Sequence, residues 1–301
     1  MKQVIAQIPA PGRHWVGDGF PVHGMFGYQQ GALARSPFLM LDYAAPMDFP
    51  PNPGAQRRGV GSHPHRGFET VTIVYDGEVQ HRDSAGGGGV IGPGDVQWMT
   101  AGRGLVHDEF HSDDYSARGG PFHMVQLWVN LPQKDKMTTP RYQAITDATI
   151  PRVTLPGGAG TARLIAGELA GQRGPAQTFT PMNVWDVQIA AGATVHLDQP
   201  DGWTALVLVQ SGEVTAGDGA QARHAGPASL LQFSREGRTL ALTAQSDARL
   251  LLMAGEPIAE PVVGYGPFVM NTQDEIVQAI QDFNSGHFGE IVETVTAGTP
   301  A

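Results

Sequence analysis

The sequence of 301 residues contains no cysteine. Disulfide bonds and thiolate metal sites are therefore excluded, and any transition metal must be held by histidine and carboxylate side chains. Long apolar runs are missing as well, because no stretch approaches the roughly 18 apolar residues that a membrane-spanning helix requires. The amino-terminal segment has neither a long apolar core nor a small-residue cleavage site, so we expect a cytoplasmic protein that does not bind a membrane.

Positive charge is also scarce. Lysine and arginine number 19 together against 29 acidic residues, which gives a formal net charge of −10. A chain of this charge is a poor direct ligand for nucleic acid, because the phosphate backbone repels it. We therefore expect no direct nucleic-acid partner.

Glycine and proline, in contrast, are abundant, with 40 and 23 residues. Turns must therefore be frequent, and the apolar segments between them are short and rich in β-branched side chains, which is typical of strands. The segment "FETVTIVYDGEVQHR" (68–82) predicts two strands joined at Asp76-Gly77, a dipeptide that favours a tight hairpin turn. The composition thus indicates an all-β protein.

The two halves of the chain share one pattern. "TIVYDGEV" (72–79) matches "VLVQSGEV" (207–214), and "GPGDVQWMT" (92–100) matches "AGPASLLQF" (225–233). The repeat predicts two antiparallel β-barrel domains, the first at residues 1–135 and the second at residues 136–301.

One helix is predicted near the end, in "NTQDEIVQAIQDFNSG". Thr272 and Glu275 have the spacing of a capping box. Ile276, Ile280 and Phe283 then form an apolar stripe at helical spacing, so we expect the helix to pack on a barrel. The tail that ends in "TAGTPA" is predicted to be frayed.

Two short segments of the first half carry pairs of possible metal ligands. His63 and His65 lie two residues apart in "GSHPHRGFETVTIVYDGE" (61–78), and His107 and Glu109 lie two apart in "TAGRGLVHDEFH" (100–111). Residues two apart on an extended chain point to the same face. Three imidazoles and one carboxylate suit Fe(II), Mn(II), Ni(II), Cu(II) or Zn(II). We therefore predict one divalent transition-metal ion, with open positions for water and substrate.

The remaining histidines lack this spacing. Four are expected to be ordinary surface or hydrogen-bonded groups: His14, His81, His224 and His287. Three more could line a pocket, although no further signal distinguishes them: His23, His111 and His123. Aligned on the shared Gly-Glu-Val, the second half has Asp198 and Pro200 where the first has His63 and His65, and His196 stands alone. We expect the second barrel to bind no metal.

Longer motifs give the chain a specific resemblance. "HPHRGFETVT", "GVIGPGDVQWMTAGRGLVHDE", "QLWVNLP", "AGEP" and "GPFVMNTQDEIVQAIQDF" lie between about Phe38 and Phe283 and resemble the pirin family of bicupins. The resemblance implies two cupin-type antiparallel β-barrels, or jelly rolls, packed face to face, with a short C-terminal helix. It implies a metal in the first barrel, foremost Fe(II), with Mn, Ni, Cu, Co and Zn as alternatives.

The resemblance also assigns ligands. Carried over by position, they are His63, His65, His107 and Glu109. In many other cupins the carboxylate follows the second histidine by four residues, which here is Glu69. Strand alternation would place Glu69 on the same face as His63 and His65, so spacing leaves both carboxylates open, while the pirin-like pattern favours Glu109.

Two functions follow from the resemblance. The first is a quercetin 2,3-dioxygenase-like oxidoreductase that opens the ring of a flavonol, with a small aromatic substrate and O₂ as partners, Glu109 as the acceptor of the hydroxyl proton, and a monomeric protein. Four apolar side chains are candidates to line the substrate slot: Val71, Ile73, Met99 and Trp128. The alternative is a non-catalytic regulator that responds to iron or redox state and acts through a protein partner.

Overall fold

The computed structural model describes residues 1–54, 56–219 and 222–292. The end of the tail that is predicted to be frayed, from residue 293 onward, lies outside this part of the chain. No helix within these ranges is long and apolar enough to cross a membrane.

Short strands dominate both halves. The strands of the first half and of the segment that follows it are β1 (Val4–Pro9), β2 (His14–Val16), β3 (Phe20–Phe26), β4 (Phe38–Phe49), β5 (Gly59–His65), β6 (Phe68–Asp76), β7 (Val79–Asp83), β8 (Gly88–Ile91), β9 (Val96–Thr100), β10 (Leu105–His111), β11 (Gly120–Asn130) and β12 (Arg141–Ile145). The later strands are β13 (Arg152–Thr154), β14 (Gly160–Ala166), β15 (Glu168–Leu169), β16 (Gln172–Arg173), β17 (Met182–Ile189), β18 (Thr194–Asp198), β19 (Thr204–Ser211), β20 (Val214–Ala216), β21 (Arg223–Ala225), β22 (Ser229–Phe233), β23 (Thr239–Ala244), β24 (Ala248–Gly255), β25 (Val263–Tyr265) and β26 (Phe268–Met270). The helices are α1 (Ala32–Arg35), α2 (Asp113–Arg118) and α3 (Gln273–Asn284), with single 3-10 turns at Tyr28–Gln30, Gln133–Asp135, Asp147–Thr149 and Pro156–Gly158.

Each half builds one barrel from a larger and a smaller antiparallel sheet. In the described residues, the first barrel has the sheets β12-β9-β6-β11-β4-β3-β2 and β5-β10-β7-β8. The second barrel has β1-β22-β19-β24-β17-β14-β13 and β18-β23-β20-β21. The orders correspond strand for strand, so the predicted duplication and the two-barrel fold are confirmed. The hairpin predicted at Asp76-Gly77 joins β6 to β7, and Gly77 has a φ of 84° that suits a tight turn.

The two barrels exchange their edge strands. β1, near the start of the chain, pairs with β22 of the second barrel, with Gln7 opposite Leu231. β12 pairs in turn with β9 of the first barrel, with Gln143 opposite Trp98. Each repeat therefore contributes its first strand to the other barrel. The division between residues 135 and 136 stays a prediction, and strands cross it in both directions.

The interface between the barrels is an apolar core. Val71 and Ile73 of β6 and Leu127 of β11 are fully buried there in one cluster with Leu208 and Met253 of the second barrel. A buried polar link crosses the same interface, since the Tyr75 hydroxyl donates to Asp186 at 2.6 Å and accepts from Gln210 at 2.8 Å. The larger sheets thus pack face to face.

The C-terminal helix returns to the first barrel. α3 has the predicted capping box, in which Thr272 and Glu275 bind each other's backbone N–H groups. Ile276 is fully buried in a cluster with Phe268 and with Val106 of β10. Arg66, which follows β5, forms an ion pair with Asp282 of the helix at 2.8 Å. The predicted helix therefore packs on β26 and against Val106 of β10, one of the two strands that carry the candidate ligands.

Candidate metal centre

The four predicted ligands lie on two neighbouring strands of the smaller sheet. β5 carries His63 and His65, and β10 carries His107 and Glu109. The strands are antiparallel, with His107 directly opposite His63 and Leu105 opposite His65. The register shifts between His107 and Glu109, where β5 has an extra residue. The pairing gathers the three imidazoles on one face.

The imidazoles are close enough to share an ion. The ring centroid of His63 lies 4.2 Å from that of His107 and 4.9 Å from that of His65, and the His65 and His107 centroids are 4.7 Å apart. One ligand atom of each of these three histidines lies within 4.8 Å of the others. Glu109 belongs to a second group of this kind with His107 and His81, so His107 joins the two groups.

The protonation of these rings suits metal binding. Burial, and then the neighbouring imidazoles, hold the pKa of His65 and of His107 well below the usual 6.5, so both rings are neutral at pH 7. His63 uses Nδ1 to hydrogen-bond the carbonyl of Gly61 at 2.8 Å. Nδ1 of His65 and Nε2 of His107 are buried and receive no hydrogen bond from the described residues. Buried nitrogens left without a partner are a feature that a bound metal would explain.

Glu109 is held firmly by hydrogen bonds. Its Oε1 accepts from Gln97 Nε2 at 2.8 Å and from Thr72 Oγ1 at 3.2 Å, and its Oε2 accepts from Gln126 Nε2 at 2.9 Å. A carboxylate has about four acceptor positions, so these three bonds leave one on Oε2. The side chain is 4% exposed. The network therefore fixes the carboxylate and keeps a single position open.

Glu69 faces away from this group, contrary to the alternation expected from the sequence. Gly67, between β5 and β6, has a φ of 89°, and this turn changes the phase of the alternation. Glu69 consequently shares a face with Val71 and Ile73, and its Oε1 accepts from Thr100 Oγ1 at 2.7 Å. Burial raises its pKa to about 7. Glu69 belongs to neither group of possible ligands among the described residues.

A pocket of about 400 Å³ opens beside the three-histidine group. His63, His65, Glu109 and Gln126 form its polar side. Its other walls are mainly apolar and include Val16, Phe20, Val22, Met40, Met124 and Trp128. A mostly apolar pocket with a few convergent polar groups is the usual form of a site for a small organic molecule.

Only one of the four slot candidates lines this pocket. Trp128 does, and its ring lies 5.2 Å from that of His65. Val71 and Ile73 instead lie in the core between the barrels, because the turn at Gly67 also reverses their direction. Met99 packs with Ala101 and Leu105 in a separate cluster. The prediction for these three side chains was wrong.

Sequence reasoning missed His81. It was expected to be an ordinary group, yet it lies fully buried on β7, directly opposite Glu109 of β10. Its ring is 5.0 Å from that of His107. The spacing His81-x-Asp83 resembles the two ligand pairs and was the available signal.

The other histidines differ in their surroundings. His111 is buried among aromatic rings and contacts the Gly19 carbonyl at 2.9 Å, and His123 lies between Tyr43 and Tyr75. Burial lowers the pKa of both histidines to about 4. Neither lines the pocket beside the candidate ligands.

The second barrel has leucine where the first has ligands. On β18, Leu197 is buried and pairs with Leu240 of β23, as His63 pairs with His107 in the first barrel. His196 and Asp198 point outward. The alignment that set Asp198 opposite His63 was therefore displaced by one residue. Both groups of possible ligands that the described residues form lie in the first barrel.

Two joined antiparallel barrels with a cluster of histidine and glutamate side chains in one of them define a bicupin with a candidate metal centre. Residues 19–129 match the family model named Pirin, and residues 184–289 match the model of the pirin C-terminal cupin domain. The chain belongs to the pirin family.

Similar proteins come from several organisms. A Pseudomonas aeruginosa protein named "Putative quercetin 2,3-dioxygenase" is 55% identical over 288 residues, which cover 96% of this chain and 99% of that protein. Mouse pirin is 39% identical over 256 residues, 84% of this chain and 83% of that protein. The crystal structure of quercetin 2,3-dioxygenase from Acinetobacter baumannii matches with a TM-score of 0.92 and 50% identity, and covers 97% of this chain and 100% of that chain.

Proposed function

We propose that this protein is a metal-dependent dioxygenase that opens the ring of a flavonol such as quercetin, with Fe(II) as its metal. The observation that carries the proposal is a mostly apolar pocket lined by His63, His65 and Glu109, with His107 within ligand distance of both other imidazoles. The names of the similar proteins from P. aeruginosa and A. baumannii support the same reaction class.

The residues present fit a divalent metal. His63, His65, His107 and Glu109 would hold it, because the imidazoles of His65 and His107 are neutral and have buried nitrogens without hydrogen-bond partners in the described structure. When bound, Fe(II) would act as a Lewis acid toward the flavonol hydroxyl and would allow electron transfer between the substrate and O₂.

Glu109 is proposed as the catalytic residue. Its Oε2 has one open acceptor position, which would serve as a metal ligand or would accept the proton of the substrate hydroxyl. Gln97 and Gln126 keep the carboxylate in place in either role. The apolar walls around Trp128 exclude water from a flat aromatic substrate.

Asp42 is a further polar residue that lines the pocket. It lies on β4 opposite Gln126 of β11 and is 9% exposed. No side chain or backbone group in the described part of the chain forms a hydrogen bond with its carboxyl group. Burial raises its pKa to about 6, against the opposing charge of His14. Because a buried carboxylate without a donor costs stability, we propose that Asp42 binds a hydroxyl group of the substrate.

Asp42→Asn is expected to stabilise the folded protein and to weaken substrate binding. The folded pKa lies above the usual value of 3.8, so the contribution of Asp42 to stability falls as pH rises from about 4 to about 6. At pH 7.5 the free energy of unfolding of the variant should exceed that of the parent by about 3 kcal/mol, and this difference should vanish near pH 4. Its KM should rise roughly tenfold, since a neutral amide replaces a charged acceptor. Urea unfolding across this pH range and steady-state kinetics measure both effects.

Asp48→Asn is the control for Asp42→Asn. Asp48 lies on the same strand and is exposed, so neither stability nor KM should change appreciably. A loss of stability in Asp42→Asn at pH 7.5 together with an unchanged KM would contradict the role of Asp42.

The proposed reaction is tested with anaerobically Fe(II)-loaded protein, quercetin and air. We expect loss of flavonol absorbance and release of carbon monoxide, because both atoms of O₂ enter the substrate while one ring carbon leaves. The His63→Ala variant should release none. If the Fe, Mn, Ni, Cu and Co forms all bind metal but none turns over quercetin, the proposal is wrong, and the alternative of a regulator with a protein partner becomes the one to pursue.

A further inference from the structure

The predicted ligand His107 contacts a second buried histidine, His81, which lies outside the predicted ligand set. His81 of β7 and His107 of β10 are both fully buried, and their Nδ1 atoms are 3.2 Å apart. Two ring nitrogens at this distance form a hydrogen bond only if one of them carries a proton and the other does not. The direction of this bond decides which nitrogen of His107 is available as a ligand.

Asp83 determines the direction. Its Oδ2 lies 3.1 Å from Nε2 of His81, and its Oδ1 accepts the backbone N–H groups of Ala85 and Gly87 at 2.8 and 2.9 Å. A carboxylate only accepts, so Nε2 of His81 must carry the proton. Gln97 Nε2 lies 3.3 Å from Nδ1 of His81, and because an amide nitrogen only donates, Nδ1 of His81 is an acceptor.

It follows that His107 donates from Nδ1 and keeps the lone pair of Nε2. That Nε2 atom is the buried one without a hydrogen-bond partner in the described residues. We propose that Asp83 and His81 are positioning residues that fix His107 in the tautomer required for metal binding. The inference rests on the metal centre of the proposed function and assigns this task to two residues outside the ligand set.

His81 itself is better explained as a positioning residue than as a ligand. It could form a ligand group with His107 and Glu109 by distance alone. Both of its nitrogens, however, already have hydrogen-bond partners. Tyr142 stacks on its ring with centroids 5.0 Å apart and an angle of 16° between the planes, which fixes the ring orientation.

The glycine-rich loop between β7 and β8 packs closely against Asp83 and Tyr142. A Cβ atom on Gly87 would lie 2.4 Å from Asp83 Oδ2 and 2.6 Å from Tyr142 Cβ, so only glycine allows the backbone to approach. This close approach places the backbone N–H groups of Ala85 and Gly87 within hydrogen-bonding distance of Asp83 Oδ1. Gly87, within the run "AGGGGVIGPG" (85–94), therefore has a structural role beside the candidate ligands.

Asp83→Asn tests the inference. The oxygen of the amide can keep the hydrogen bonds from Ala85 and Gly87, while its NH₂ group donates to His81 Nε2. His81 would then donate from Nδ1 to Nδ1 of His107, so the direction of both hydrogen bonds is reversed. In metal-free protein, long-range ¹H–¹⁵N NMR should show His107 protonated at Nδ1 in the parent and at Nε2 in the variant. Zn(II) affinity, measured by competition with a chelator, should fall roughly 10- to 100-fold.

Asp95→Asn is the matched control, because Asp95 also accepts two backbone N–H groups, from Gly92 and Asp147, at a site away from the imidazoles. It should keep the parent tautomer and affinity. A second variant, His81→Asn, offers His107 an amide oxygen in place of Nδ1, and Asp83→Asn should lose its effect in that background.

The outcomes separate this inference from the proposed metal centre. A parent protein that binds no metal would refute the metal centre itself. A parent that binds Zn(II) but has His107 protonated at Nε2 before loading, or an Asp83→Asn variant with the affinity and tautomer of Asp95→Asn, would overturn the positioning role alone.

Discussion

His107→Ala is expected to abolish metal retention while leaving both barrels folded. His107 is the residue that joins the two groups of possible ligands, and its Nε2 atom is buried without a partner in the described structure. Losing a direct ligand should cost more than the roughly 100-fold in affinity that a lost outer hydrogen-bond partner can cost. After desalting, elemental analysis should find no metal, circular dichroism should show native strands, and quercetin turnover should be lost. We expect His63→Ala to behave in the same way.

His111→Ala is the matched control for His107→Ala. His111 is on the same strand, four residues further on, and is also buried. Its ring contacts the Gly19 carbonyl and aromatic side chains, and it belongs to neither ligand group found in the described residues. The variant should lose on the order of 2 to 3 kcal/mol of stability through its cavity and still retain metal. Full metal occupancy in His107→Ala would refute the ligand assignment.

Glu109→Gln is expected to lose turnover far more than metal. The amide keeps the shape of the side chain but cannot take up the hydroxyl proton, and general-base catalysis contributes roughly 10²- to 10⁴-fold to rate. Three imidazoles remain to hold the ion, so metal content should fall only partly. The kcat for quercetin and the metal-to-protein ratio measure the two effects separately.

Glu69→Gln discriminates between the two carboxylates. Glu69 is as deeply buried as Glu109 but binds Thr100 on the face that contacts the second barrel. Its substitution should leave kcat and metal content near those of the parent. If Glu69→Gln loses turnover while Glu109→Gln keeps it, the carboxylate of the site has been misassigned.

Local signals in the sequence were sufficient for much of the fold. The turn at Asp76-Gly77 and the capping box of Thr272 and Glu275 depend only on neighbouring residues, and both are present. The His-x-His and His-x-Glu pairs could be recognised because alternation holds within one uninterrupted strand. The structure brings the three imidazoles within ligand distance, and their role as ligands stays a prediction.

Features that depend on strand phase or on distant pairing could not be predicted. A single glycine, Gly67, changes the phase between β5 and β6, and this turned Glu69, Val71 and Ile73 away from the pocket. His81 contacts His107 only because β7 and β10 are neighbours in the sheet. The exchange of β1 and β12 is set by packing between the barrels and has no signature in either segment alone.

Residues near the C-terminal end of the chain pack on the first barrel, so the order of synthesis affects when the pocket is completed. Both ligand-bearing strands leave the ribosome within the first 111 residues. Pro267, which lines the pocket, and Asp282, which pairs with Arg66, are made much later. Because chains emerge from the amino terminus, the pocket stays open on one side until most of the second barrel exists. The finished pocket is therefore a property of the whole chain rather than of its first half.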